Sequence, residues 1–267
     1  MSARIARPPW PMSRGNLARL ENKKYRQRWG LYILEGTAAI RDALEAGAPF
    51  HGILVDDRLQ DHPEERELIP VLHQSGVAVQ QVPASQLKRI SGLVTPPPMV
   101  GVFVEEPPLE PQIPSRDPLI LALDRVQDPG NAGTLMRTAA FYGVRELWFG
   151  KGTVERYNPK VLRAAMSAHF QLRIAVNVDL EDAIRRSKKE GCRVFAADAE
   201  GEDRLAALDE SHPAILLLGN EPNGVDPALL QLADARLAIA RRGRIDSLNV
   251  AMAGAILLDR LLTGRNS

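Results

Sequence analysis

The sequence predicts an α/β protein: a parallel sheet flanked by helices, preceded by a smaller α/β unit. Three observations carry that expectation. After Pro118, short apolar runs such as Leu119–Leu123 and Ala214–Leu218 recur between polar turns, and a continuous run suits a strand buried on both faces. Helical stretches separate most of these runs, as strand–helix–strand crossovers require. Between the two parts, the ten residues Glu105 to Pro114 hold four prolines, which makes a stiff, extended connector.

In chain order, residues 13–46 read as helical with a break around Gly30. Leu17, Leu20 and Lys24 recur at helical spacing, and Ala38 to Ala46 forms a second amphipathic set. Leu31–Leu34, Gly52–Val55, Val77–Val82 and Met99–Val104 are strand candidates, with Pro96-Pro97-Pro98 excluding regular structure before the last. This places a small α/β domain at 1–104 and a linker at 105–117. In 118–267, strands are expected at Leu119–Leu123, Glu146–Phe149, Leu172–Val176, Arg193–Ala197, Ala214–Leu218 and Arg236–Ile239. Helices are expected at Thr134–Tyr142, 158–169, 179–190, 226–232 and 248–262.

Composition bounds the function classes. The 267 residues are 45% hydrophobic and 25% charged, an ordinary globular balance that argues against wholesale disorder. One cysteine, Cys192, excludes an internal disulfide framework and a Cys-based zinc site. The histidines show no ligand spacing, so no metal is expected. No apolar run approaches the ~18 residues of a membrane span, and residues 1–29 lack the apolar segment of a signal peptide, so a soluble cytoplasmic protein without membrane contact is expected. The net charge of +1 hides an asymmetry: residues 1–29 carry +7 and the remaining 238 carry −6. Such a basic arm suits an anionic partner, nucleic acid being the commonest. Arg14, Lys23, Lys24, Arg26 and Arg28 are its candidate RNA contacts, and Trp10, Tyr25 and Trp29 lie among them as candidate stacking platforms. A solvated amphipathic helix with its aromatics turned to the core explains the same residues.

Ligands of open α/β sheets bind beyond the carboxyl ends of the strands. Three such ends share glycine with asparagine, acid or hydroxyl groups. The first is Asp124 to Gly133, leading to Arg137, Thr138 and Phe141, with Asn131 and Arg137 read as a loop residue and a helix residue converging on one ligand. The second is Leu218-Gly219-Asn220-Glu221-Pro222-Asn223-Gly224. It has P-loop-like glycine spacing, but Val225 stands where the lysine belongs, which rejects that motif. The third is Ile239 to Val250, where Asp246 or Ser247 is the expected helix N-cap. That leaves Asn249 unexplained in the first turn of an apolar helix. Arg241, Arg242 and Arg244 form a second basic cluster beside it. No Gly-x-Gly-x-x-Gly follows a strand, which disfavours a nicotinamide-dependent oxidoreductase.

Together the three loops resemble the SpoU (TrmH-type) family of RNA 2′-O-ribose methyltransferases, of the SPOUT class. The resemblance rests on Asp124, Asp128-Pro129, Asn131, Gly133, Arg137-Thr138-Ala139 and Phe141. It continues at Leu218-Gly219-Asn220-Glu221 with Gly224 and at Ser247-Leu248-Asn249-Val250, in order across about 150 residues. The first 104 residues look like the family's small RNA-binding domain, with Tyr25-Arg26 and Glu35-Gly36 as its marks. Two positions depart from the pattern. Ile239-Ala240-Arg241 stands where Ile-Pro-Met is usual, and Ala165 and Ser167 stand where Ser-x-Gly is common.

The resemblance implies a parallel sheet with a C-terminal trefoil knot, which periodicity cannot show. It implies a homodimer that binds S-adenosyl-L-methionine largely through backbone groups, at Leu218, Gly219, Ile239 and Leu248. It implies methyl transfer to a ribose 2′-hydroxyl of RNA, with 23S rRNA favoured by the separate N-terminal domain. The catalytic positions that match are Asn131, Arg137, Glu221, Ser247 and Asn249. A guanidinium stays protonated in proteins, so Arg137 is expected to orient phosphate and stabilise oxyanion charge rather than accept a proton. Glu221 is expected to orient Arg137. A tRNA methyltransferase and a non-catalytic RNA-binding protein on the same fold remain as alternatives.

Overall fold

The computed structural model describes residues 6–91, 93–113, 119–202, 213–244 and 247–263. It divides into two compact units. The first holds the chain to Pro107 plus Tyr157–Arg163, and the second holds Pro108–Arg156 and the chain from Ala164. Linker residues 114–117 lie outside the described residues.

The first unit runs α1 (Arg14–Arg19), α2 (Lys23–Trp29), β1 (Leu31–Glu35), α3 (Thr37–Glu45), β2 (Phe50–Asp56), α4 (Pro63–Gln74), β3 (Val79–Val82), α5 (Ala84–Ile90) and β4 (Met99–Val104). Its sheet has the order β1-β4-β2-β3, with β4 antiparallel to β1 and β2, and β2 parallel to β3. Ser13 and Asn22 cap α1 and α2, each accepting a backbone N–H from the first turn. Gly30, at φ +56, ends α2 in the left-handed conformation that glycine adopts at least cost, and β1 starts at once. Leu17, Leu20 and Trp29 pack with Leu31, Ile33, Leu54 and Val102 in one core. Helices α4 and α5 were not anticipated from periodicity. In α4, Pro70 interrupts the pattern, although Pro63 at the start, Glu64 and Glu65 in the first turn, and buried Leu68 and Leu72 are ordinary helix signals. Helix α5 is only seven residues long, too short for a period to show.

The chain continues with β5 (Leu119–Leu123), α6 (Pro129–Phe141), β6 (Glu146–Gly150), α7 (Pro159–Ala165), β7 (Arg173–Val178), α8 (Leu180–Lys189), β8 (Arg193–Glu202), β9 (Ala214–Leu218), α9 (Pro227–Leu230), β10 (Ala235–Leu237) and α10 (Val250–Thr263), all in the second unit except α7, whose residues to Arg163 count with the first. The second unit holds one sheet. Its six strands pair in parallel in the order β10-β8-β9-β5-β6-β7. The chain builds β5, β6 and β7 outward, then returns to the other side. There β9 lies between β8 and β5, with Leu123 opposite Leu218. That reversal beside β5 is a topological switch point, where open α/β sheets form their ligand crevices. Every residue of β5, β6 and β9 is buried, as their apolar runs require.

Three boundaries depart from expectation in ways that matter for the site. Helix α6 starts at Pro129, five residues before Thr134, because Asp128 caps it and proline suits the first helical position. Helix α10 starts at Val250, which moves Asn249 out of the first turn. Strand β8 runs to Glu202, and β10 ends at Leu237, which frees Ile239 from the sheet. Among the described residues, no helix is long and apolar enough to cross a membrane.

Candidate active site

Strands β5 and β9 lie side by side, so the first two loops leave the sheet together. Asp124, at the end of β5 and 5% exposed, ties them. Its backbone N–H donates to the Leu218 carbonyl and its carboxylate accepts the N–H of Asp226, each at 2.8 Å. The Arg125 guanidinium also grips Asp124, at 2.9 Å, and lies 3.4 Å from Asp226. These bonds to a buried carboxylate fix both loop bases before any ligand arrives. Asp124 therefore organises the site, a role that motif matching alone does not assign.

Within the second loop, the Gly224 N–H donates to the Asn220 carbonyl, and the Asn223 N–H donates to the Asn220 side chain. A Cβ on Gly219 would sit 2.0 Å from the Gly224 carbonyl carbon. The missing side chain at Gly219 thus makes room for the protein's own chain returning at Gly224. The closed turn presents Glu221 to solvent.

The third loop crosses from the edge strand β10 back to α6. Asn249 is the N-cap of α10: its Oδ1 accepts the N–H of Ala251 at 2.9 Å. This corrects the expected cap at Asp246 or Ser247 and explains the asparagine. Its Nδ2 donates to Asn131 Oδ1 at 2.9 Å, and the Asn131 Nδ2 donates to Glu221 Oε1. One chain of side chains, Asn249–Asn131–Glu221, therefore joins all three loops. Gly254 permits it. A Cβ there would meet Leu135 of α6 at 2.5 Å and Leu218 at 2.8 Å, so glycine lets α10 lie this close without displacing those side chains.

Ser247 and Leu248 are exposed beside Asn249, Ile239 is half-buried, and Leu218 is buried at the strand end; Asp246 lies outside the described residues. Asn131 and Arg137 share one helix, about 9 Å apart along its axis and about 120° around it. They are not a loop residue and a helix residue converging from two elements. Arg137 is exposed, and its Nη1 contacts Met166 Sδ at 2.9 Å. Glu221 is held by Asn131, so the expected pairing of Glu221 with Arg137 is not the arrangement found. Met166 was not singled out from the sequence, since a methionine after an alanine pair carries no local signal.

In the first unit, Lys23, Lys24 and Arg28 are exposed on α2, and Arg14 donates to the Gln86 side chain at 3.0 Å. Arg26 is a correction to the proposed RNA contacts. It is 2% exposed, and its Nη1 donates to the carbonyls of Leu20 and Glu21, each at 2.8 Å. It closes the carboxyl end of α1, so its charge is spent inside the protein. The aromatics follow the core reading. Trp29 is buried against Tyr25, and Trp10 packs on Gly52.

The loops after β9 and β10 carry the apolar side chains of Ile239, half-buried, and Leu248, exposed. Apolar side chains and free peptide groups are the chemistry that an adenine and a sulfonium cofactor require. Among the described residues, no group of three His, Cys, Asp or Glu side chains is placed to hold a metal ion.

Comparison with known proteins gives the same picture. Residues 118–259 match the model of the SpoU rRNA Methylase family, and residues 16–101 match the MRM3-like substrate binding domain. The chain is 32% identical to the mouse (Mus musculus) mitochondrial rRNA methyltransferase 3, over 90% of this chain and 69% of the relative. It is 31% identical to the Bacillus subtilis 23S rRNA (guanosine(2553)-2'-O)-methyltransferase RlmP, over 91% of this chain and 93% of the relative. The crystal structure of the AdoMet-bound rRNA methyltransferase from Sinorhizobium meliloti superposes with a TM-score of 0.82 at 29% identity, covering 96% of each chain.

Proposed function

This chain belongs to the SpoU rRNA methylase family, and from that premise we propose that it methylates a ribose 2′-hydroxyl of RNA, with 23S rRNA as the substrate. The observation that carries this reading is the Asn249–Asn131–Glu221 chain, which brings the three family loops to one place at the β5–β9 junction. S-Adenosyl-L-methionine, when bound, supplies an electrophilic methyl group on a sulfonium centre. Leu218, Gly219, Ile239 and Leu248 and their main chain would hold it.

The remaining chemistry falls to this chain. Asn131 has its amide fixed at both ends, so it presents a rigid edge to the ribose rather than a rotating side chain. Glu221, exposed at the turn, accepts a hydrogen bond from the sugar hydroxyl. Arg137 orients the adjoining phosphate and stabilises negative charge developing on the 2′-oxygen. Ser247 donates to phosphate, and Asn249 holds the loop. Lys23, Lys24 and Arg28 supply phosphate contacts on the small unit.

The same reading includes a trefoil knot and a homodimer in the cytoplasm. The passage of the third loop from edge strand β10 back to α6 supports the knot. Phe141 on α6 and Met252 on α10 support the dimer: they are 82% and 54% exposed, large apolar groups that a second copy would cover.

The test is to map 2′-O-methyl positions in rRNA and tRNA from cells with the protein, without it, and with Arg137→Ala. One 23S rRNA position lost in both the deletion and the variant supports the reading, provided the purified variant still binds S-adenosylmethionine. A lost tRNA position reassigns the substrate, and full methylation by Arg137→Ala sinks the role of that residue.

A further inference from the structure

We propose that Met166 is a positioning residue for Arg137: its thioether sulfur anchors the guanidinium in the orientation that the methyl-transfer reaction uses. The inference rests on the reading of Arg137 given above and adds what holds that side chain still. An exposed arginine has many rotamers, and ordering it for each turnover is costly. The described structure gives Arg137 a partner in Met166, whose Sδ lies 2.9 Å from Nη1.

The backbone around Met166 is built to deliver that contact. Met166 has φ +45 and Ser167 has φ +67, two successive non-glycine residues in the left-handed region at the end of α7. A helix end normally uses one such residue, and it is usually glycine. Strain of this kind persists only where the surroundings hold it. Here Ala165 and Ala168 on either side are buried, at 0% and 4% exposure, so the pair between them cannot relax by sliding. The 3₁₀ turn Ala168–Phe170 that follows packs against α6, the helix that carries Arg137. Pinned at both ends, the turn thrusts Met166 outward until it is 63% exposed. Burial within this unit does not explain a methionine 63% exposed on a strained turn, whereas the contact of its sulfur with the Arg137 guanidinium does give it a role. Ala165 and Ser167 are also where this chain departs from the family pattern, so the anchor is a feature of this sequence.

The experiment compares Met166→Leu, which keeps size and removes the acceptor, with Met166→Gln, which restores an acceptor at similar length. Each is made in the parent and in an Arg137→Lys background. Turnover, KM for RNA, S-adenosylmethionine affinity and thermal midpoint are measured for all. Met166→Leu is expected to lower kcat about tenfold, the scale of a small misplacement in an active site, with KM, cofactor affinity and midpoint unchanged. Met166→Gln is expected to regain most of that loss. In the Arg137→Lys background, Met166→Leu is expected to cost nothing further, because coupled residues are non-additive. The proposal is overturned if Met166→Leu turns over like the parent, if Leu and Gln lose activity alike, or if the loss persists undiminished without Arg137. A parent protein that methylates no RNA overturns the proposed function instead. In that case the anchoring is still decided by the guanidinium NMR signals of Arg137: broadening in Met166→Leu supports it, and unchanged signals refute it.

Discussion

Asn131 and Asn249, 118 residues apart in the chain, share a hydrogen bond of 2.9 Å that ties the first turn of α6 to the cap of α10. The two amides divide their groups without waste. Asn249 uses its oxygen to cap its own helix and its nitrogen to reach Asn131, whose own nitrogen goes on to Glu221. Two substitutions separate these duties. Asn249→Asp keeps the capping oxygen and removes the donor, so its thermal midpoint should stay near the parent while methylation falls tenfold or more. Asn249→Ala removes both and should in addition cost about 1 kcal/mol in denaturant unfolding. A fully active Asn249→Asp would show that the bridge to Asn131 is dispensable.

The basic residues of α2 should split by burial. Arg26→Ala leaves the Leu20 and Glu21 carbonyls without their charged donor and should destabilise the protein by about 2 kcal/mol, read from chemical denaturation. Replacing exposed Lys23, Lys24 and Arg28 with Gln should leave stability within about 0.5 kcal/mol. It should weaken RNA binding and flatten its salt dependence, since each lost phosphate contact removes roughly 0.7 from the slope for single strands. Equal RNA affinity across a salt series would place the RNA contacts elsewhere.

His169 should make the protein acid-sensitive. The residue is half-buried, but both ring nitrogens lie out of solvent, and they are the groups that titrate. Burial, with help from the Arg156 charge, pushes its pKa down to about 3. An unfolded histidine binds its proton near pH 6.5, so between those values the unfolded chain holds the extra proton. Stability is therefore full above pH 6.5 and falls as pH drops, by about 2 kcal/mol at pH 5. Urea midpoints measured from pH 7.5 to 5 should show this slope, and His169→Gln should flatten it. An unchanged slope in the variant would assign the acid sensitivity to other groups.

Cys192, 3% exposed, has its thiol pushed up to about 12 by burial, with the nearby charges of Asp234 and Glu190 adding to the effect. At neutral pH it should be inert to disulfide reagents in the folded protein and react at once in denaturant. Rapid labelling of native protein would contradict that burial.

Much of this molecule was legible along the chain. The buried strands announced themselves as apolar runs, because a strand covered on both faces needs nothing else. Loop chemistry was legible where turn-forming residues cluster, as at Gly219 to Gly224. Helix α4 was hidden by Pro70, whose position within the helix breaks the pattern that periodicity reads. The start of α6 was misplaced because Asp-Pro-Gly-Asn suits a turn and a capped helix start equally well, and only packing chooses between them.

Residue order by itself determined the α/β class, the three functional loops and the basic character of the first 29 residues, because these rest on local chemistry and on charge. The tertiary structure decided which of those residues meet. It set β9 beside β5, so that Asn131 and Glu221 face each other, and it used Gly254 to draw α10 onto α6, so that Asn249 closes the chain. It turned Arg26 inward and Met166 outward. The meeting of the three loops depends on strand order and on contacts across about a hundred residues, and the turning of Arg26 and Met166 depends on which side of a helix end meets the core; a local pattern carries no record of either.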